Sequence, residues 1–182
     1  CPAVANADQA DRDGDDVGDA CETVDYCRIQ HVSEAQVPTG GTITAYAMLY
    51  EQGLTDQSNQ VDADALVVAQ AGYGPAGDDP SGNTWTWTDA AGNPNWNGNG
   101  GDANNDEYLA DISNMPNGRF TVAYRFSVDG GTQFTYCDKG AGNEGSSNGF
   151  DAADAFSVSS GDWPFSRGEL ALSESNWSLR CA

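Results

Sequence analysis

Apolar and polar residues alternate with a period of two over 120–128, which puts Phe120, Val122, Tyr124, Phe126 and Val128 on one face. That is the period of a β-strand with one side against a core. Shorter runs of the same kind predict strands over 42–50, 66–72, 84–88, 107–112 and 155–159. Asp129-Gly130-Gly131 signals a tight turn, from which Gln133-Phe134-Thr135-Tyr136 returns as the hairpin partner. A late strand is expected over 169–173, with 177–180 as a further candidate beside it. No window carries a helical period beyond a turn or two. Short strands separated by Gly, Asn and Asp clusters predict an all-β, antiparallel β-sandwich of the immunoglobulin or fibronectin III kind.

The first residues break this pattern. Counting Asp11 as position 1, Asp13 and Asp15 fall at positions 3 and 5, the Val17 carbonyl at 7, Asp19 at 9 and Glu22 at 12. A hard cation such as Ca²⁺ collects six to eight oxygens from carboxylates and one backbone carbonyl at this spacing. Without a cation, so many carboxylates in so short a stretch repel one another. The alternative is a solvated acidic linker. One departure stands out: position 6, where a sharp turn favours Gly, holds Asp16. Aspartate tolerates a left-handed backbone better than most residues, so the substitution weakens such a loop without forbidding it.

Cys1-Pro2, Asn6-Ala7-Asp8-Gln9, Asp11-Arg12-Asp13-Gly14-Asp15 and Gly18-Asp19-Ala20-Cys21-Glu22 together resemble a thrombospondin type 3 repeat. The resemblance implies a segment with little hydrophobic core, wrapped around bound calcium, in which Asn6 and Asp8 hold a second ion. Residues 27 to about 159 also resemble a β-sandwich module of modular bacterial secreted and surface proteins. Cys27-Arg28-Ile29-Gln30, Gly72-Tyr73-Gly74-Pro75, Trp85-Thr86-Trp87, Asn105-Asp106-Glu107-Tyr108, Tyr124-Arg125-Phe126-Ser127 and Thr135-Tyr136-Cys137-Asp138 carry that likeness. It implies a fold and a setting, not an activity. The expected organisation is a calcium-binding repeat over 1–25, a sandwich over 26–160 and a C-terminal extension over 161–182 that completes the sandwich or is exchanged with another copy.

Charge and cysteine content sharpen the setting. Twenty-eight acidic residues against seven basic ones give a net charge of −21, which disfavours nucleic acid and anionic membranes as partners. Five Trp, seven Tyr and six Phe argue for a packed core and against disorder. Five cysteines point to an oxidising compartment. Cys1 and Cys21 bracket the acidic loop, Cys27 and Cys137 are placed to staple a sandwich, and Cys181 is left over. In a second scheme an acylated Cys1 anchors the protein to lipid and leaves four cysteines for two bridges. No apolar run is long enough for a transmembrane helix.

Other candidate chemistry is weaker. Trp85 and Trp87 share a strand face and Trp96 lies in the next loop, so the three are a candidate polysaccharide platform; packing is the competing role. The Asn- and Asp-rich loops 93–106 and 138–151 suit turns, and Asp102, Asn104 or Asp106 could supply a second calcium site. Gly72-Tyr73-Gly74-Pro75-Ala76-Gly77 has phosphate-loop spacing but opens no helix, and Gly145-Ser146-Ser147-Asn148-Gly149 lacks the strand–turn–helix elbow of a nucleophilic serine. The only histidine is His31, and no transition-metal motif accompanies it. The expectation is a non-enzymatic, calcium-stabilised structural or adhesive protein of an extracellular surface. Its partners would be calcium and other copies or neighbouring surface domains, and it would serve as a fibre or array subunit. A carbohydrate-binding module is the alternative, and a hydrolase ranks last.

Overall fold

The alternation over 120–128 lies in the longest strand of the structure, a computed structural model that describes residues 9–11, 14, 16–18, 21, 23–98, 104–140 and 149–162. Ten strands run in chain order: β1 (Tyr26–Val32), β2 (Gln36–Val37), β3 (Ile43–Tyr50), β4 (Val68–Pro75), β5 (Thr86–Asp89), β6 (Ala91–Gly92), β7 (Asp106–Ile112), β8 (Gly118–Ser127), β9 (Thr135–Cys137) and β10 (Phe156–Ser160). They form two facing sheets, one ordered β1-β3-β7-β6 and the other β2-β10-β8-β4-β5, with β9 also paired to β8. The protein is an all-β sandwich. Every pairing is antiparallel except β10 with β2, which is parallel. The expected strands 169–173 and 177–180 lie outside the described residues.

The core lies between the sheets. Ile29, Ala45, Ala47, Leu49, Ala110 and Ile112 on one side meet Ala69, Ala71, Val122, Tyr124, Phe126 and Val158 on the other. Phe126 stacks on Tyr124 at 5.5 Å and meets Tyr108 edge-on at 5.4 Å. The Tyr124 hydroxyl crosses the sandwich and donates to the Ala45 carbonyl at 2.9 Å, which removes the cost of burying it. Cys27 on β1 and Cys137 on β9 form a disulfide, so a covalent staple joins the two sheets. Cys27 is the second residue of β1.

Two local details depart from the sequence pattern. The connection after β8 is a longer loop over 128–134, not a tight turn. Asp129 organises it: its carboxylate accepts the Ser127 hydroxyl at 2.6 Å and the backbone N–H groups of Thr132 and Gln133 at 2.8 and 3.0 Å. The Gly72–Pro75 segment does not follow a strand; it lies inside β4. Its backbone N–H groups belong to a sheet, which removes the phosphate-loop geometry altogether.

Candidate functional site

Four places carry the candidate chemistry. The first is the acidic N-terminal loop, of which Asp11, Gly14, Asp16, Val17 and Gly18 are described. The Asp11 carboxylate accepts the Gly14 N–H at 2.8 Å through one oxygen and the Asp16 N–H at 3.2 Å through the other. Asp16 has φ +76°, so this aspartate takes up the left-handed turn that the spacing demands at position 6. Val17 is exposed. Cys21 is disulfide-bonded and its N–H donates to the Gly18 carbonyl at 2.7 Å. Asn6, Asp8, Asp13, Asp15, Asp19 and Glu22 lie outside the described residues, as do Cys1 and Cys181.

The second place is the outer face of the larger sheet. Gly72 pairs with Trp87 on one side and Ala123 on the other, so small residues line the row beneath the indole. Trp85 and Trp87 stack at 5.5 Å with their planes 18° apart. The Arg125 guanidinium lies over both Trp87 and Phe134, at 4.3 and 4.2 Å from the ring centroids. Its Nε donates to Gln70 at 2.7 Å, and the Gln70 amide donates to Asp89 at 2.7 Å, which joins β8, β4 and β5 in one polar row. Tyr136 tilts against Trp87 and Phe150 meets Trp85 edge-on. Trp85 is buried, at 8% exposure, so this cluster packs on itself.

Trp96 is not part of that cluster. Its indole N–H donates to the Asn105 carbonyl at 2.7 Å beside the smaller sheet. There it lines a cavity of about 430 Å³ with Asn93, Asp64, Gln60, Val61 and Tyr108. Asn93 is bonded through its side-chain amide to Glu107 and through its side-chain oxygen to the Asn95 N–H, so the start of the Asn-rich loop is locked as a turn.

The fourth place is the end of the sandwich where β3 runs out and β7 begins. Glu51 and Asp106 are both fully buried. Leu49 is the cross-strand partner of Asp106, which puts Glu51 two residues beyond that pair on the neighbouring strand. The Thr55 hydroxyl closes the gap, lying 3.2 Å from the Glu51 carbonyl and 3.0 Å from that of Asn104. Glu51 Oε2 accepts the Asp25 N–H at 3.0 Å, and Asp106 Oδ2 accepts the Asp62 N–H at 2.9 Å. Asp106 Oδ1 is buried with no hydrogen-bond partner. Burial pushes the Asp106 carboxyl up to about 7; the Asp62 N–H works against this and the Asp62 charge adds to it. Burial, then the charges of Asp106, Asp62 and Asp64, raise Tyr108 as well. The signal for this place was present in the sequence as Asp106 and the acids of 51–64, but only the fold shows that two of them are dry.

Among the described residues no three Asp, Glu, His or Cys side chains gather as a finished metal cage, and no helix is long and apolar enough to cross a membrane. His31 is exposed on β1 beside a register shift, 6.0 Å from the Tyr46 ring. Asp102 lies outside the described residues. No family model matches the chain, and no curated protein matches it.

Proposed function

We propose that this chain is a calcium-stabilised structural or adhesive module of an extracellular, bacterial-type surface, with no catalytic role. One observation carries this reading: Asp11 caps a turn in which Asp16, the residue in place of the usual Gly, adopts the left-handed backbone at φ +76°. The donors of the loop are all hard oxygens, the set calcium prefers, and extracellular loops of this class bind at ~10⁻⁴–10⁻³ M. Bound calcium would stiffen the acidic segment and fix its orientation against the sandwich. The inter-sheet disulfide fits the oxidising setting. With Trp85 buried and Trp87 held between Gly72 and Arg125, the pair offers a polysaccharide little open ring surface, which leaves carbohydrate binding as the weaker reading.

The test is size-exclusion light scattering of the non-reduced protein in calcium and in EGTA. Large calcium-dependent assemblies mark a fibre or array subunit, in which another copy is the partner. A monomer whose hydrodynamic radius changes with calcium marks a spacer between neighbouring domains. Identical profiles in both conditions would contradict the calcium reading.

A further inference from the structure

The connection from β3 to β4 and the short strand β6 share the cavity of about 430 Å³ that Trp96 lines. Small-molecule sites usually enclose about 300–1,000 Å³, so the space suits one. Its walls are held in place by the protein's own bonds. The Asp62 carboxylate accepts the Gln57 and Ser58 N–H groups at 2.9 and 3.0 Å and the Ser58 hydroxyl at 2.7 Å, which fixes the turn before Val61. Val61 lies so close on β6 that a Cβ added to Gly92 would stand 2.5 Å from its Cγ1. Asn93 is tied to Glu107 and Asn95, and the Trp96 N–H to the Asn105 carbonyl.

The lining narrows the ligand. Trp96 and Tyr108 supply aromatic surface. Tyr108 is 6% exposed, yet it lines the cavity, and its hydroxyl has no hydrogen-bond partner among the described residues. Burial, and after it the charges of Asp106, Asp62 and Asp64, keep that phenol protonated. Asp64 also lines the cavity; its Oδ1 accepts the Leu66 N–H at 2.8 Å, which leaves Oδ2 for a ligand. No Lys, Arg or His is among the lining residues. An anion would therefore meet carboxylates without a counter-charge. A sugar would find the Asn93 side chain and the Trp96 N–H already committed. A cation meets two aromatic rings and a carboxylate, the surroundings in which ammonium groups are held once they leave water.

We propose that this cavity binds a small organic cation, an alkylammonium group set against Trp96 and Tyr108, with Asp64 as its counter-charge. The ammonium N–H groups donate to Asp64 Oδ2 and to the Tyr108 hydroxyl oxygen, which gives the buried phenol the partner it lacks. The cavity shares no residue with the acidic N-terminal loop, so this inference stands independently of the calcium reading.

The test titrates the isotope-labelled full chain and follows the indole N–H resonance of Trp96, assigned through Trp96→Phe. Cyclohexylammonium is the probe, cyclohexanol is its neutral match in shape, and methyl glucoside stands for a sugar. Cyclohexylammonium is expected to shift the resonance saturably, with cyclohexanol and methyl glucoside at least tenfold weaker. Asp64→Asn keeps the bond to Leu66 at an exposed position, so it is expected to melt as the parent does and to bind cyclohexylammonium at least fivefold more weakly. Tyr108→Phe keeps the ring and is expected to weaken binding in the same direction. No saturable binding of cyclohexylammonium, equal binding of cyclohexanol or methyl glucoside, or undiminished binding by Asp64→Asn would overturn the proposal.

Discussion

Gly72 lies so close beneath Trp87 that a Cβ added to the glycine would stand 2.5 Å from Cε3 of the indole and 2.8 Å from the Thr86 carbonyl. Gly74 stands in the same relation to Trp85, at 2.4 Å. Gly72→Ala must push the ring outward, because the strand backbone beside it cannot yield. The expected cost is about 1–3 kcal/mol, with a red shift in tryptophan emission as the ring leaves the sheet. Denaturant titration followed by fluorescence checks both, and an unchanged midpoint and spectrum would contradict this packing.

Arg125 acts as a flat plate between two rings as well as a charge. Lysine keeps the charge but has neither the plane that fits between Trp87 and Phe134 nor the Nε donor to Gln70. Arg125→Lys and Arg125→Ala are therefore expected to destabilise by similar amounts, about 1–2 kcal/mol. Equal stability of Arg125→Lys and the parent protein in equilibrium unfolding would refute the stacking role.

The Cys27–Cys137 bridge closes a separation of 110 residues. In the chain-entropy account a loop near that length is worth about 4–5 kcal/mol through the unfolded state. The Cys27→Ala/Cys137→Ala protein should unfold at clearly lower denaturant than the parent, and urea titration of both measures it. A difference below about 1 kcal/mol would show that the two sheets hold together without the staple.

Asp129 sets an acid limit to stability. Burial alone would raise its carboxyl, but the Ser127 hydroxyl and the Gln133 and Thr132 N–H groups outweigh that and hold it below the usual carboxylate range. The folded state therefore binds its proton less readily than the unfolded state. Its contribution is complete above the unfolded carboxylate range and is lost as pH falls through the depressed folded value. Asp129→Asn should unfold at lower temperature near neutral pH, and the gap should narrow as pH falls toward 3. A gap that stays constant with pH would contradict this assignment.

Much of the sandwich was legible in the chain because period-two alternation and burial on one face have the same cause. The runs 42–50, 107–112, 120–128 and 155–159 became β3, β7, β8 and β10 to within a residue or two at most ends. The inter-sheet pairing of Cys27 with Cys137 was also readable, from their positions at an early and a late strand. The very short β2 and β6 carry too few residues for any period, and the parallel pairing of β2 with β10 is a tertiary contact without a local signal. The strand expected over 66–72 stops short of Gly74 and Pro75, which also belong to β4, because strand glycines are rare; the reason for Gly72 and Gly74 is the two indoles, Trp87 and Trp85, that lie against them. The burial of Glu51 and Asp106 was invisible because acidic residues usually face water, and only the strand register turns these two inward.

Calcium is the centre of this account, and the most direct test counts the ions bound by the full chain and by its Asp13→Ala/Asp15→Ala variant. Thermal unfolding of each is followed at millimolar calcium and in EGTA. The account predicts that the parent chain binds calcium and melts higher with it, and that the variant binds fewer ions and loses the share of that rise owed to the loop. Equal calcium content and equal melting behaviour in the two proteins would contradict it.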